Sequence, residues 1–296
     1  MKTHSALSTV LSLLALLPLL SAQADRPIEV ECGKSTRHDG KLIVNGVEAK
    51  AGMFPWHVVI YFREKDMTYI PICGGSLIRN NLVVSVAHCF EQVLNNVNNA
   101  SSYAVVAGKH YRAWNADEQY SQKSLVENIE VGERYLGLIG NYASDIALLK
   151  LKTPFELNML VRPICIDWEI IYERALLQPG QLGKMVTWNE NINDESNQTM
   201  YEVVMQYVPN KQCVAESPID FRRFITQDKF CAGRLNDSSI FIGQSGNGLY
   251  IHKNGTWYLR GIASIRYGNV DDNNSYIGFT YISHFRDWIH EAYDSA

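Results

Sequence analysis

The chain is poor in most features that would tie it to nucleic acid, a membrane or a metal. Its 27 basic and 31 acidic residues leave a formal charge of −4, with no block of like charge. Without a basic patch, neither nucleic acid nor an anionic membrane surface has an electrostatic footprint to bind. Proline (9) and glycine (20) are not enriched among 296 residues, and the 46% hydrophobic residues are spread throughout, which excludes low-complexity disorder. Cysteine is limited to six residues, none in a C-x-x-C pair or beside a suitably spaced histidine, which argues against a structural zinc site. Only the first residues carry a long apolar stretch.

That stretch follows Lys2, runs through Leu11, Leu13, Leu14, Leu16, Leu17, Leu19 and Leu20, and is interrupted at Pro18. It is short for a bilayer span and ends at Ala22-Gln23-Ala24, the small residues a signal peptidase accepts. Residues 1–24 are therefore predicted to be a signal peptide, residues 25–42 a polar pro-segment, and residues 43–296 one domain. Secretion changes the meaning of Cys32, Cys73, Cys89, Cys165, Cys213 and Cys231: an even count in an oxidising compartment predicts three bridges, although the count alone allows fifteen connectivities. Five N-x-S/T sequons, at Asn99, Asn197, Asn236, Asn254 and Asn273, fit a glycosylated extracellular surface.

From residue 43 onward, short apolar runs alternate with polar turns. They include Trp56–Tyr61, Leu82–Val86, Tyr103–Val106, Ile146–Leu149, Tyr201–Met205, Gly248–Ile251, Trp257–Leu259 and Gly261–Ile265. Their β-branched and aromatic content, with Lys253-Asn254-Gly255 as a turn between two of them, predicts antiparallel strands. Many short strands without amphipathic helices between them imply an all-β barrel or sandwich. The last segment departs from this: Ser283 is placed to cap a helix that carries Phe285, Trp288, Ile289 and Ala292 at helical spacing and buries Trp288.

Three residue types along the chain can work together. A serine hydroxyl attacks only when a histidine accepts its proton, and that histidine needs a carboxylate to fix its tautomer and stabilise the imidazolium. The strings Cys73-Gly74-Gly75-Ser76-Leu77-Ile78, Val86-Ala87-His88-Cys89, Ser144-Asp145-Ile146-Ala147-Leu148-Leu149 and Gly243-Gln244-Ser245-Gly246 carry such residues in the order His, Asp, Ser. In that order they resemble the chymotrypsin/trypsin-like serine endopeptidases. Ile43-Val44-Asn45-Gly46, Phe54-Pro55-Trp56, Val161-Arg162-Pro163-Ile164-Cys165 and Trp288-Ile289 extend the resemblance over residues 43–296. The polar lead with Glu31-Cys32-Gly33 is also similar to the catalytic domains of arthropod modular proteases of defence cascades.

The resemblance implies two antiparallel six-stranded β-barrels packed together, with a C-terminal α-helix. It makes His88 the base, Asp145 its orienter and Ser245 the nucleophile. The Gly243 and Ser245 backbone N–H groups would form an oxyanion hole, worth about 3–4 kcal/mol per donor in comparable sites. Ser264 would donate to the triad aspartate beside a substrate pocket lined by Ser239, Ile265, Arg266 and Gly278. The implied bridges are Cys73–Cys89, Cys213–Cys231 and Cys32–Cys165, the last tethering the pro-segment after activation cleavage.

Several residues depart from the family pattern. Gln244 stands where the family has the aspartate that receives the ammonium of the new N-terminus, and burying that ammonium without a counter-ion costs several kcal/mol. Asn247 and Gly248 replace a glycine and a proline, and Phe241 and Asn269 replace a pocket disulfide. Ser239 supplies no carboxylate at the pocket base to select Lys or Arg. Ile265 replaces a wall tryptophan, and Arg266 stands at the mouth, where its guanidinium would narrow entry or snorkel outward. Cleavage after Lys41 or after Leu42 would both free the domain, but only the second leaves Ile43 first. Lys109 heads the stretch, ending at Glu118, where the family can bind calcium, so no metal or other cofactor is expected.

Two readings follow. One is a secreted, monomeric serine endopeptidase, made as a zymogen, released by an activating protease and acting on protein substrates. The other is an impaired homologue that binds protein partners in an extracellular cascade. A carbohydrate- or lipid-binding β protein has no motif behind it.

Overall fold

The computed structural model describes residues 30–36, 47–95, 99–169, 177–188, 199–234, 245–266 and 276–296. The apolar runs become strands: β1 (Val47–Glu48), β2 (His57–Arg63), β3 (Tyr69–Arg79), β4 (Leu82–Ser85), β5 (Tyr103–Ala107), β6 (Gln122–Val131) and β7 (Ala147–Leu151) in the first half. The second half contributes β8 (Leu182–Trp188), β9 (Met200–Val208), β10 (Lys229–Arg234), β11 (Gly248–Lys253), β12 (Thr256–Arg266) and β13 (Ile277–Tyr281). Strands β2-β3-β4-β7-β6-β5 close into one antiparallel barrel. Strands β8, β9, β10, β13, β12 and β11 close into a second through the β8–β9 pairing, and β1 adds to the outer edge of β9. Closure leaves these strands few free edges, which suits sequences so rich in valine and isoleucine.

Each barrel has its own filling. Val58, Ile60, Leu77, Val83, Val105 and Leu149 are fully buried in the first. Met185, Met205, Phe230, Leu249 and Phe279 pack inside the second. An aromatic seam joins the barrels: Trp56, just before β2, lies 5.5 Å from Tyr250 of β11 and 6.4 Å from Trp257 of β12, centroid to centroid. The Tyr250 hydroxyl exchanges a 2.9 Å hydrogen bond with Ser76 of β3. Strands at this seam are covered on both faces, so they read as unbroken apolar runs and not as alternating ones.

Three features differ from the sequence expectations. Trp257–Leu259 and Gly261–Ile265 belong to one strand, β12. Leu249 pairs with Gly261 and Tyr250 with Leu259, so Arg260 is the extra residue of a bulge, and its guanidinium pairs with Asp167 at 2.9 Å. The charged bulge residue is what interrupted the apolar pattern. Ser283 does not cap the last helix: Ser283–Phe285 is a single 3₁₀ turn, and the α-helix runs from Arg286 to Ser295 with Phe285 at its N-cap. Ile289 is its fully buried residue, whereas Trp288 is only half-buried against the core. Short helices, Asn210–Glu216 and Ile219–Arg222, also interrupt the strands, each following a proline (Pro209, Pro218).

The turn read at Lys253-Asn254-Gly255 is a tight hairpin, with Asn254 at φ 50° and Gly255 at φ 78°. Two consecutive left-handed residues match the twist of the flanking strands, and asparagine and glycine adopt that conformation most readily. Among the sequons, Asn99 and Asn254 are exposed, while Asn197, Asn236 and Asn273 lie outside the described residues. Lys109 places its ammonium 3.1 Å from Glu118, whose other oxygen accepts from the His110 N–H.

Candidate active site

His88 lies on the 3₁₀ turn Ala87–Phe90 that leaves β4. Ala87 and Phe90 are buried beneath it, and the Cys73–Cys89 disulfide ties the turn to β3. The imidazole therefore sits on a short, anchored segment with its outer edge open. Asp145 precedes β7 and is fully buried. Its Oδ1 accepts from the His88 backbone N–H at 2.9 Å, and its Oδ2 lies 2.8 Å from His88 Nδ1. Ser264, on β12 of the other barrel, donates to the same Oδ2 at 2.5 Å, and Thr280 of β13 donates to the Asp145 carbonyl at 3.0 Å. Three donors fix the direction of this buried carboxylate, and a proton on His88 Nδ1 directed at Oδ2 leaves Nε2 to accept another.

The turn before Asp145 is strained. Asn141, Tyr142 and Ser144 all have positive φ, at 54°, 55° and 56°. A left-handed residue with a side chain costs roughly 1–2 kcal/mol, so such a turn persists only where surrounding contacts fix it.

Ser245 stands at the tight turn before β11, between the barrels. Its carbonyl accepts from the Gly74 N–H at 2.9 Å, and the next N–H, of Gly246, donates to Ala263 on β12 at 2.8 Å. Gly246 has φ 82°, and a side chain there would lie 2.2 Å from the Gly74 carbonyl oxygen, so only glycine fits. Ser245 is thus fixed between the strand that leads to Cys73 and the strand that carries Ser264. Among the described residues, no hydrogen bond joins its hydroxyl to His88.

Asn247 fits because of Gly74. Its amide donates to the Val186 carbonyl at 2.7 Å, and its Oδ1 occupies the space that a Gly74 Cβ would need, 1.7 Å from it. Beside it, His57 of β2 packs 5.9 Å from the Trp188 ring. Among the described residues neither His57 ring nitrogen has a hydrogen-bond partner, and burial lowers its pKa to about 4. Sequence reasoning passed over His57, which reads as one more residue of an apolar strand.

Of the pocket residues, Ile265 pairs with Gly278 and Arg266 with Ile277 along the β12–β13 ladder. The Ile265 side chain lies over Gly278, where any Cβ would be 2.5 Å from it. Ser239, Gly243 and Gln244, together with Phe241, Asn269 and the cleavage segment Lys41–Ile43, lie outside the described residues. The remaining disulfides join Cys32 to Cys165 and Cys213 to Cys231. Cys73, His88 and Cys89 crowd within 4.8 Å of one another, but both sulfurs are in the disulfide and offer no thiolate to a metal. None of the described helices is long and apolar enough to cross a membrane.

The sequence pattern of the Trypsin family matches residues 43–289. The chain is similar to Limulus clotting factor C of Carcinoscorpius rotundicauda, at 30% identity over 272 residues that cover 88% of this chain and 26% of that protein. It is likewise similar to a modular serine protease of Drosophila melanogaster, at 30% identity across 89% of this chain and 42% of that protein. Human testisin is 29% identical across 90% of this chain and 82% of its own length. The chain therefore spans less than half the length of the first two relatives.

Proposed function

Since the chain belongs to the trypsin family, we propose that residues 43–296 form a secreted serine endopeptidase domain that acts through Ser245, His88 and Asp145. Residues 1–24 direct secretion, and residues 25–42 are a pro-segment that stays attached through Cys32–Cys165 after an activating protease cuts at Lys41 or Leu42. Ser245 Oγ attacks the scissile carbonyl while His88 Nε2 takes its proton, and Asp145 stabilises the resulting imidazolium. The Gly243 and Ser245 N–H groups receive the oxyanion. His88 then returns the proton to the leaving amine, and water repeats the sequence on the acyl-enzyme.

The observation that carries this reading is the buried Asp145 carboxylate, bound to His88 at both its backbone N–H and its Nδ1 and to Ser264 from the second barrel. Packing alone gives no reason to bury a carboxylate behind a partly exposed imidazole. The resemblance assigns Ser239 to the pocket base, where it offers no carboxylate, so substrates with Lys or Arg at the cleaved position would not be selected by charge.

The second reading, a partner-binding regulator with impaired catalysis, is favoured by three sequence features: Gln244 provides no charge for the new N-terminal ammonium, Arg266 stands where the family has a small residue at the pocket mouth, and Phe241 and Asn269 replace a pocket disulfide. The likeness to relatives named as a clotting factor and a modular serine protease supports a proteolytic cascade as the setting for either reading. Covalent labelling of Ser245 by a fluorophosphonate, before and after limited proteolysis, separates them. Labelling that appears on cleavage supports the endopeptidase; folded, cleaved protein that stays unlabelled supports the regulator.

A further inference from the structure

We propose that Asp228 and Lys229, which meet at the start of β10 in the second barrel, are positioning residues that clamp the Asn141–Ser144 turn of the first barrel and thereby hold Asp145 against His88. The triad reading above makes no use of either side chain. Lys229 is nevertheless fully buried, the least expected place for a lysine, and it must be held there by partners.

Those partners are the strained turn and its neighbours. The Lys229 ammonium donates to the Tyr142 carbonyl and, at 3.3 Å, to Thr226 Oγ1, and it pairs with Asp228 Oδ2 at 3.5 Å. Asp228 Oδ2 also accepts from the Ser144 N–H at 2.8 Å, while its Oδ1 accepts from Thr226 Oγ1. Two adjacent residues of the second barrel thus grip the two left-handed peptides, at Tyr142 and Ser144, that immediately precede Asp145. Burial lowers the Lys229 pKa, and the nearby Asp228 and Asp145 carboxylates oppose that shift.

The grip has a geometric consequence. Asp145 can orient His88 only if its carboxylate stays where Oδ1 and Oδ2 meet the backbone N–H and Nδ1. Within the first barrel, the turn is closed by the short Ile146 N–H to Ser144 carbonyl bond and by the 3₁₀ turn before it. Neither fixes the turn relative to β12, where Ser264 stands. The Asp228–Lys229 clamp does, together with Thr280, so it registers the two halves of the site across the barrel seam. A cavity of about 600 Å³ opens behind the clamp, with Ser144 and Asp228 in its wall, which leaves the turn without packing on that side. On that side the polar contacts set its position, while the Tyr142 ring packs 6.0 Å from Phe224.

The proposal uses the endopeptidase reading for its rate readout only. The experiment compares the full cleaved chain with Asp228→Ala, Asp228→Asn and Lys229→Met. Two quantities are read: the low-field NMR resonance of the His88 Nδ1 proton near neutral pH, and the rate of Ser245 labelling by a fluorophosphonate. Asp228→Ala is expected to shift or broaden the His88 resonance and to slow labelling by about 10²-fold, the scale of a misplaced catalytic group. Asp228→Asn keeps an oxygen for the Ser144 N–H and should recover both signals, which a general loss of stability would not do. An unperturbed His88 resonance and an undiminished labelling rate in folded Asp228→Ala overturn the clamp. If that variant fails to fold, Lys229→Met decides, because it keeps the buried volume and removes the ammonium that bonds to Tyr142, Thr226 and Asp228; an unchanged resonance then refutes the proposal. Should the parent chain not label at all, the endopeptidase reading fails, and the His88 resonance alone still tests the clamp.

Discussion

Acidification should destabilise the folded chain through one residue that stands outside the triad. His57 is buried in the barrel seam with its imidazole pKa lowered from the ordinary 6.5 to about 4, and burial is the cause. The unfolded chain binds the histidine proton below about pH 6.5, whereas the folded chain refuses it until about pH 4. Stability is therefore complete above the upper value and declines as the pH falls through the interval. The whole gap corresponds to about 3 kcal/mol, of which about 2 kcal/mol should be lost between about pH 7 and about pH 4.5. Urea unfolding at those two pH values, on the parent chain and on His57→Leu, isolates this contribution from that of every other titrating group. Leucine keeps the apolar volume and removes the two unpartnered ring nitrogens. The variant should show a pH dependence flatter by about 2 kcal/mol. Identical pH dependence in both chains would refute the assignment of the acid sensitivity to His57.

Other perturbations follow from single contacts. Asp145→Asn preserves the shape but frees His88 to take the wrong tautomer, and Ser245 labelling should fall by about 10⁴-fold. Gly74→Ala places a methyl group 1.7 Å from Asn247 Oδ1 and should cost about 1–3 kcal/mol in denaturant unfolding. Asn247→Gly in the same chain should return part of that loss, and strict additivity of the two changes would contradict the clash. Gln244→Asp should speed labelling of the cleaved chain if the missing charge limits insertion of the new N-terminus; an unaltered rate would shift the defect to the pocket. After cleavage, a non-reducing gel should show the segment bearing Cys32 still attached, and Cys165→Ser should release it.

The chemistry of the candidate site was legible in short strings because each of its residue types is needed for a local reason. Val86-Ala87-His88-Cys89 encodes an apolar anchor, an imidazole and a covalent tie to β3, all within one turn. Ser144-Asp145-Ile146 encodes a carboxylate at the mouth of a buried strand. The hairpin at Asn254-Gly255 was legible for the same reason, since two positive φ angles restrict the residues that fit. The strand pattern failed at Arg260, where a bulge turned a charged residue inward to Asp167 and one strand read as two. The helix start failed at Ser283, because the chain makes a 3₁₀ turn there before the α-helix begins.

Residue types and their order along the chain determined the all-β class, the paired barrels by resemblance, and the candidacy of His88, Asp145 and Ser245. The tertiary structure alone decided which residues support them. Asp228 and Lys229 lie more than eighty positions from the turn they grip, and nothing in their local sequence marks them. His57 looks like a strand residue until β2 meets the segment carrying Asn247, and only that closure removes water from its ring and sets its proton affinity. Local patterns fix what a residue can do, but desolvation and bonds between distant strands exist only after the barrels pack, and those decide what it does.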